Sequence, residues 1–170
     1  FCILIKGSTM TDTHTTRSNS ATDSKTDAVS LLKADHEKVS DLFADFEQAD
    51  SNEEKKKLVS KICTELSVHS QLEEEIFYPA FKAANEDHEL VPEATVEHGT
   101  IKDLIEQLEG AEPSGENYNA KVKVLAEYVK HHVKEEHSEM FVKEKTESLD
   151  LDELGALMIE RKADLLAERE

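Results

Sequence analysis

HSQLEEEIFYPAF, residues 69–81, places a histidine and a carboxylate, His69 and Glu73, four residues apart in helix-favouring sequence. On a helix that spacing puts both side chains on one face, one turn apart. A second stretch, HHVKEEHSEMF over 131–141, repeats the arrangement with His132 and Glu136, 63 residues further on. Each copy carries an aromatic nine residues after its histidine, Tyr78 and Phe141. Two such pairs, one on each of two helices, are placed to hold metal between them.

The same duplication extends to the intervening segments. DHEKVSDLFADFE (35–47) aligns with EHGTIKDLIEQLE (97–109), superposing His36 on His98 together with the apolar and acidic positions around them. The chain therefore reads as two copies of a helix pair, each with His on its first helix and His-x-x-x-Glu on its second. The first helix starts near Thr26, a candidate N-cap, and steps by threes and fours through Val29, Leu32, His36, Val39, Phe43 and Phe46. The second starts at Ser51 with Glu54 in capping-box spacing, and Pro79 is expected to end or bend it. Pro92 is expected to open the third, and the fourth runs from about Asn117. Val142 stands where the first half has Pro79, which predicts that the fourth helix runs on. Asp150 and Glu153 cap a fifth segment to Glu168, expected to pack across the bundle or to bind a protein partner.

Residues 1–25 read as a disordered tail rich in Thr, Ser and Asp, followed by a bundle over 26–145 and a C-terminal helix over 146–170. The apolar start FCILI is too short to span a membrane. With 34% charged residues, 5 Gly and 3 Pro, the composition favours an all-α protein. A formal net charge of −18 argues against a nucleic-acid footprint or an anionic membrane surface, both of which need a clustered basic face. Two cysteines, Cys2 and Cys63, make no disulfide framework, and a cytoplasmic location is expected.

Antiparallel helices joined by short loops give an up-down-up-down four-helix bundle in which His36, His69, Glu73, His98, His132 and Glu136 meet at one level. Each lies on a stripe otherwise made of Val, Leu, Ile and Phe, and a buried histidine or carboxylate is costly unless paired or coordinated. Imidazole and carboxylate are ligands for iron, zinc, manganese or copper, and four His with two Glu exceed what one tetrahedral zinc needs. Two ions with bridging carboxylates suit the set. One His-x-x-x-Glu alone proves little: eight His among 26 Glu in 170 residues give roughly one by chance. Three occur. The third, His131/Glu135, falls off the Val122, Leu125, Val129 stripe, so His131 is read as flanking. Glu74, Glu75, Glu135 and Glu139 are read as solvated surface, as are His88 and His137.

The set of His36, HSQLEEEIFYP, EHGTIKDLIEQL and HHVKEEHSEMF resembles the hemerythrin-like (HHE cation-binding) domain family over roughly residues 27–145. The resemblance implies a four-helix bundle holding two Fe ions, a non-haem di-iron centre bridged by carboxylates and an oxo or hydroxo species, with O2, peroxide or NO as the small ligand. It departs from respiratory hemerythrins at Lys102, where they carry a further histidine four residues after that of the third helix. The incomplete histidine shell points to sensing or stress protection more than to oxygen carriage. The alternatives are a di-iron peroxidase-type enzyme, iron buffering, or a structural metal-binding module.

Overall fold

The computed structural model describes residues 26–169, and the expected tail over 1–25 lies outside them. Four long antiparallel helices form the all-α bundle: α1 (Ala28–Gln48), α2 (Asn52–Leu72), α4 (Leu90–Glu109) and α5 (Tyr118–Glu135). α3 (Tyr78–Asn85) continues α2, while α6 (Lys143–Thr146) and α7 (Leu151–Ala167) follow α5. No strand occurs among the described residues, and none of their helices is long and apolar enough to cross a membrane.

The helix starts follow capping chemistry. Asp27, one residue after the expected Thr26, is the N-cap of α1 and accepts the Ser30 N–H at 2.9 Å. A carboxylate does this better than a hydroxyl because it also meets the positive end of the helix dipole. Ser51 caps α2 through the Glu54 N–H, and Asp150 caps α7 through the Glu153 N–H. α4 opens two residues before Pro92, because the Asp87 carboxylate accepts the N–H groups of both Leu90 and Val91.

Two boundaries differ from expectation in an instructive way. Glu73–Phe77 and Glu136–Met140 are single π-helical turns, closed by N–H bonds from Tyr78 to the Glu73 carbonyl and from Phe141 to the Glu136 carbonyl. Each turn begins on the carboxylate of a His-x-x-x-Glu pair, so the duplication extends to this local bulge. Pro79 does not stop its helix: it comes just after the π-helical turn, where the regular ladder is already interrupted, and the chain stays helical to Asn85. The half without the proline stops instead. After Met140 the helix ends and Val142 is extended, correcting the expectation of a longer fourth helix. The break accompanies the burial of Phe141, which stacks on the His36 ring at 6.0 Å and meets Phe77 edge-on at 5.5 Å.

The core has two apolar clusters on either side of a polar layer. Val39, Ile62, Leu66, Ile101, Leu125 and Val129 belong to one, and Leu32, Leu72, Phe77, Phe81, Met140 and Met158 to the other. Cys63 is buried in the first, where burial pushes its thiol up to about 12, that of an inert core residue. α7 packs across α1 and α2, the first of its two expected roles. Its own Met158 and Leu165 are fully buried, and Gly155 lies so close to the start of α1 that an added Cβ would stand 2.3 Å from the Thr26 carbonyl oxygen. Only glycine permits that approach.

Candidate metal centre

The polar layer holds His36 from α1, His69 and Glu73 at the end of α2, His98 from α4, and His132 and Glu136 at the end of α5. All six side chains are buried, Glu73 completely. Their inward atoms face one another in two groups that share Glu73: His36, His69, Glu73 and Glu136 in one, Glu73, His98 and His132 in the other.

Distances inside the layer are those of ligand atoms around ions. The Nε2 atoms of His36 and His69 are 2.9 Å apart, and those of His98 and His132 are 3.1 Å apart. Glu73 Oε1 lies 3.1 Å from His69 Nε2, while its Oε2 lies 3.3 Å from His98 Nε2. Glu136 Oε2 is 3.2 Å from His36 Nε2 and 3.6 Å from His132 Nε2. Two donor atoms bound at right angles to one metal at 2.0–2.2 Å are about 3.0 Å apart. Two imidazole lone pairs at such a distance repel unless a proton or a cation lies between them. Glu73 Oε1 and Glu136 Oε2 are moreover buried without a hydrogen-bond partner, which is costly for carboxylate oxygens unless a cation satisfies them. The donor set fits bound metal.

The outward nitrogens explain how the rings are held. His98 Nδ1 donates to Glu74 at 2.8 Å, and His132 Nδ1 donates to Glu97 at 2.7 Å, so each Nε2 keeps its lone pair for the interior. His36 Nδ1 meets His137 Nε2 at 2.9 Å. His69 Nδ1 faces Asp35 Oδ2 at 3.7 Å, beyond hydrogen-bond length, and the other oxygen of Asp35 is paired with Lys162 of α7. Glu74 and His137 are therefore not merely solvated surface as expected, since each supports a ring of the layer. Asp35 and Glu97 were missed altogether. One signal could have found these last two, because each directly precedes the lone histidine of its helix, in DHEK and EHGT. Lys102 points away from the layer and ion-pairs with Glu74.

Tyr78 is a further polar group in the layer. Its hydroxyl donates to Glu136 Oε1 at 2.8 Å and lies 3.3 Å from His98 Nε2. Burial, and then the carboxylates of Glu73 and Glu136, push the phenol well above its ordinary range, so it remains a proton donor beside them. On the opposite side, a cavity of about 20 Å³ is lined by Val39, Leu66, Ile101 and Val129 together with the four histidines, room for about one water-sized molecule.

Replacing Glu74 with Gln removes the charged acceptor of His98 and the partner of Lys102 while leaving all inward atoms in place. Metal retention is expected to weaken about 10–100-fold, the usual effect of losing such a support. Competition against a chromophoric chelator measures it, and affinity equal to wild type would count against the supporting role.

In metal-free protein, burial pushes the His69 imidazole down, but the carboxylates of Glu73 and Asp35 outweigh it and push the group up to about 10. Burial likewise raises Glu73, but the imidazolium of His69 outweighs it and holds Glu73 well below the carboxylate range. Because the folded value for His69 exceeds its ordinary 6.5, its contribution to stability is full below 6.5 and is lost as pH rises through about 10. Thermal melts of chelator-treated protein are thus expected to fall across that window. Coordination requires neutral imidazole, so metal-loaded protein is expected to lose this trend, and loading at about pH 8 to release a proton to an indicator dye. Loading without proton release would contradict the His69 assignment.

Comparison with known proteins agrees with this geometry. The description "Hemerythrin HHE cation binding domain" matches residues 27–143. The chain is 30% identical over 114 residues to a DNA nickase from Nostoc sp., a match covering 65% of this chain and 31% of that protein, so the chain spans about a third of its relative's length. The crystal structure of a hemerythrin HHE cation-binding domain-containing protein from Mycobacterium kansasii is similar at 26% identity with a TM-score of 0.72, covering 84% of this chain and 88% of that one. The bundle, its buried His and Glu layer and the match over 27–143 together place this chain in the hemerythrin HHE cation-binding domain family.

Proposed function

We propose that the protein is a non-haem di-iron protein that binds O2, a related small oxidant or NO in sensing or stress protection, with His36, His69, Glu73, His98, His132 and Glu136 as the ligands. The observation that carries this reading is Glu73, whose two oxygens face different histidine pairs from a fully buried position. Bound there, two iron ions supply redox chemistry and coordination positions for a small ligand. The chain supplies the rest. Glu73 and Glu136 would offset the charge of bound ions, and Glu74 and Glu97 hold the rings of His98 and His132. Val39, Leu66, Ile101 and Val129 wall the cavity beside the histidines with apolar surface, which admits a diatomic molecule more readily than a charged one.

A second reading, reduction of peroxide, is favoured by Tyr78, whose hydroxyl is held protonated among Glu73, Glu136 and His98. Its side chain is placed to hold a proton near a bound oxidant. Nicking of DNA is a property of the Nostoc protein, of which this chain covers 31%, and a net charge of −18 offers no basic footprint for it.

Metal analysis of protein purified without chelator, with optical spectra in air and after anaerobic reduction, tests the first reading. Two irons per chain and absorption bands that change on reduction are expected. One zinc, or no uptake after iron reconstitution, would overturn it. Steady-state peroxide turnover, compared with free iron and with Tyr78→Phe, separates the second reading from ligand binding.

A further inference from the structure

A third group of donor atoms lies outside the buried layer, over the groove between α4 and α5. His131 and Glu135 stand one turn apart on α5, and Glu97 faces them from α4. His131 Nε2 is 3.1 Å from Glu135 Oε1 and 3.4 Å from Glu97 Oε1, again the spacing of neighbouring ligands on one ion. Glu97 belongs to both places at once, because its Oε2 accepts the His132 Nδ1–H. The adjoining groove mixes glutamates, Glu97 and Glu135 among them, with apolar Leu90, Ala94 and Met140, and it also reaches His132 and Glu136. Glu136 is 2% exposed and its Oε2 has no hydrogen-bond partner. This groove, with a cavity of about 20 Å³, thus brings the outer cluster next to His132 and Glu136 of the buried layer.

We propose that Glu97, His131 and Glu135 form an exchangeable divalent-cation site that gathers ions at the surface and passes them along this groove to the buried layer. The mixed carboxylate and imidazole set suits Fe²⁺, Mn²⁺, Co²⁺ or Zn²⁺. His131 is exposed, so water completes the coordination and the ion leaves readily. A cleft of one charge sign also raises the local concentration of the opposite ion. The outer site stands on its own geometry, whereas the hand-over rests on the metal-binding reading of the buried layer.

The test compares wild-type protein with the double variant His131→Ala, Glu135→Gln, leaving Glu97 and the six buried residues intact. Crystals soaked in Mn²⁺ are expected to show an anomalous peak within bonding distance of Glu97, His131 and Glu135 in the wild type and none in the variant. Loading of chelator-treated protein with Co²⁺, followed by its visible absorption, is expected to be about tenfold slower in the variant at low salt. The final content of the buried layer should be the same in both. Absence of the outer peak at millimolar Mn²⁺ overturns the site, and equal loading rates overturn the hand-over. If the buried layer of the wild type takes up no ion, the di-iron reading fails, while the Mn²⁺ peak still decides the outer site.

Discussion

If the buried layer holds two ions as proposed, Glu73→Gln protein is expected to lose both, or to keep one weakly. The amide matches the carboxylate in shape, so packing around this fully buried side chain is conserved. It differs in offering one acceptor and one NH2 group, and an NH2 donor cannot ligate a cation. Whichever way the amide turns, either the His36 and His69 group or the His98 and His132 group loses its shared oxygen. Loss of a supporting residue alone weakens a site 10–100-fold, so removal of the shared ligand should exceed about 100-fold. The metal-free variant should change as well. The Glu73 carboxylate helps to raise His69 against burial, and without it that imidazole is raised less, by Asp35 and Glu136 alone. Proton release on loading should then shrink. Metal analysis after dialysis, combined with the indicator-dye assay, measures both effects, and two ions per chain at unchanged affinity would refute the shared-ligand assignment.

Phe77→Ala should give the largest loss of stability. The ring is fully buried within the π-helical turn that Glu73 begins, close to Phe81 at 6.0 Å and edge-on to Phe141 at 5.5 Å. Truncating a buried phenylalanine costs about 3–5 kcal/mol, the transfer term together with the cavity it leaves. For a chain of this size that corresponds to a fall in melting temperature of about 10 °C or more. The effect should also reach the polar layer. Phe77 supports Phe141, which stacks on His36, and it directly precedes Tyr78, which donates to Glu136. Calorimetry on metal-free and metal-loaded variant is expected to show the loss in both, with weaker retention of the ions. A melting temperature within a couple of degrees of wild type would mean that the turn is held by something other than this cluster.

The two halves of the chain show why some features were legible and others were not. The helices could be read because each of their stripes recurs every three or four residues, and the six buried groups because they interrupt those stripes at matching heights. The partners of the outward nitrogens obey no such period. Asp35 and Glu97 each precede a histidine of the layer, but each faces a different one across a helix interface, Asp35 lying 3.7 Å from His69 and Glu97 accepting from His132. Glu74 looked like one of three equivalent glutamates, and only the packing of α2 against α4 makes it the acceptor for His98. The broken end of α5 has a similar origin: without a proline or glycine at the break, the helix stops where Phe141 is buried between Phe77 and His36.

By itself the sequence determined the all-α bundle, its internal duplication and the six buried His and Glu residues. Periodicity, capping and the cost of burying polar groups act over a few residues and leave their mark in the order of the chain. Tertiary structure alone decided which carboxylate holds which ring, where Tyr78 delivers its hydroxyl, and how α7 brings Lys162 to Asp35. Those pairings depend on helix rotation and on which interfaces close, and both are fixed by the packing of the two apolar clusters that flank the layer.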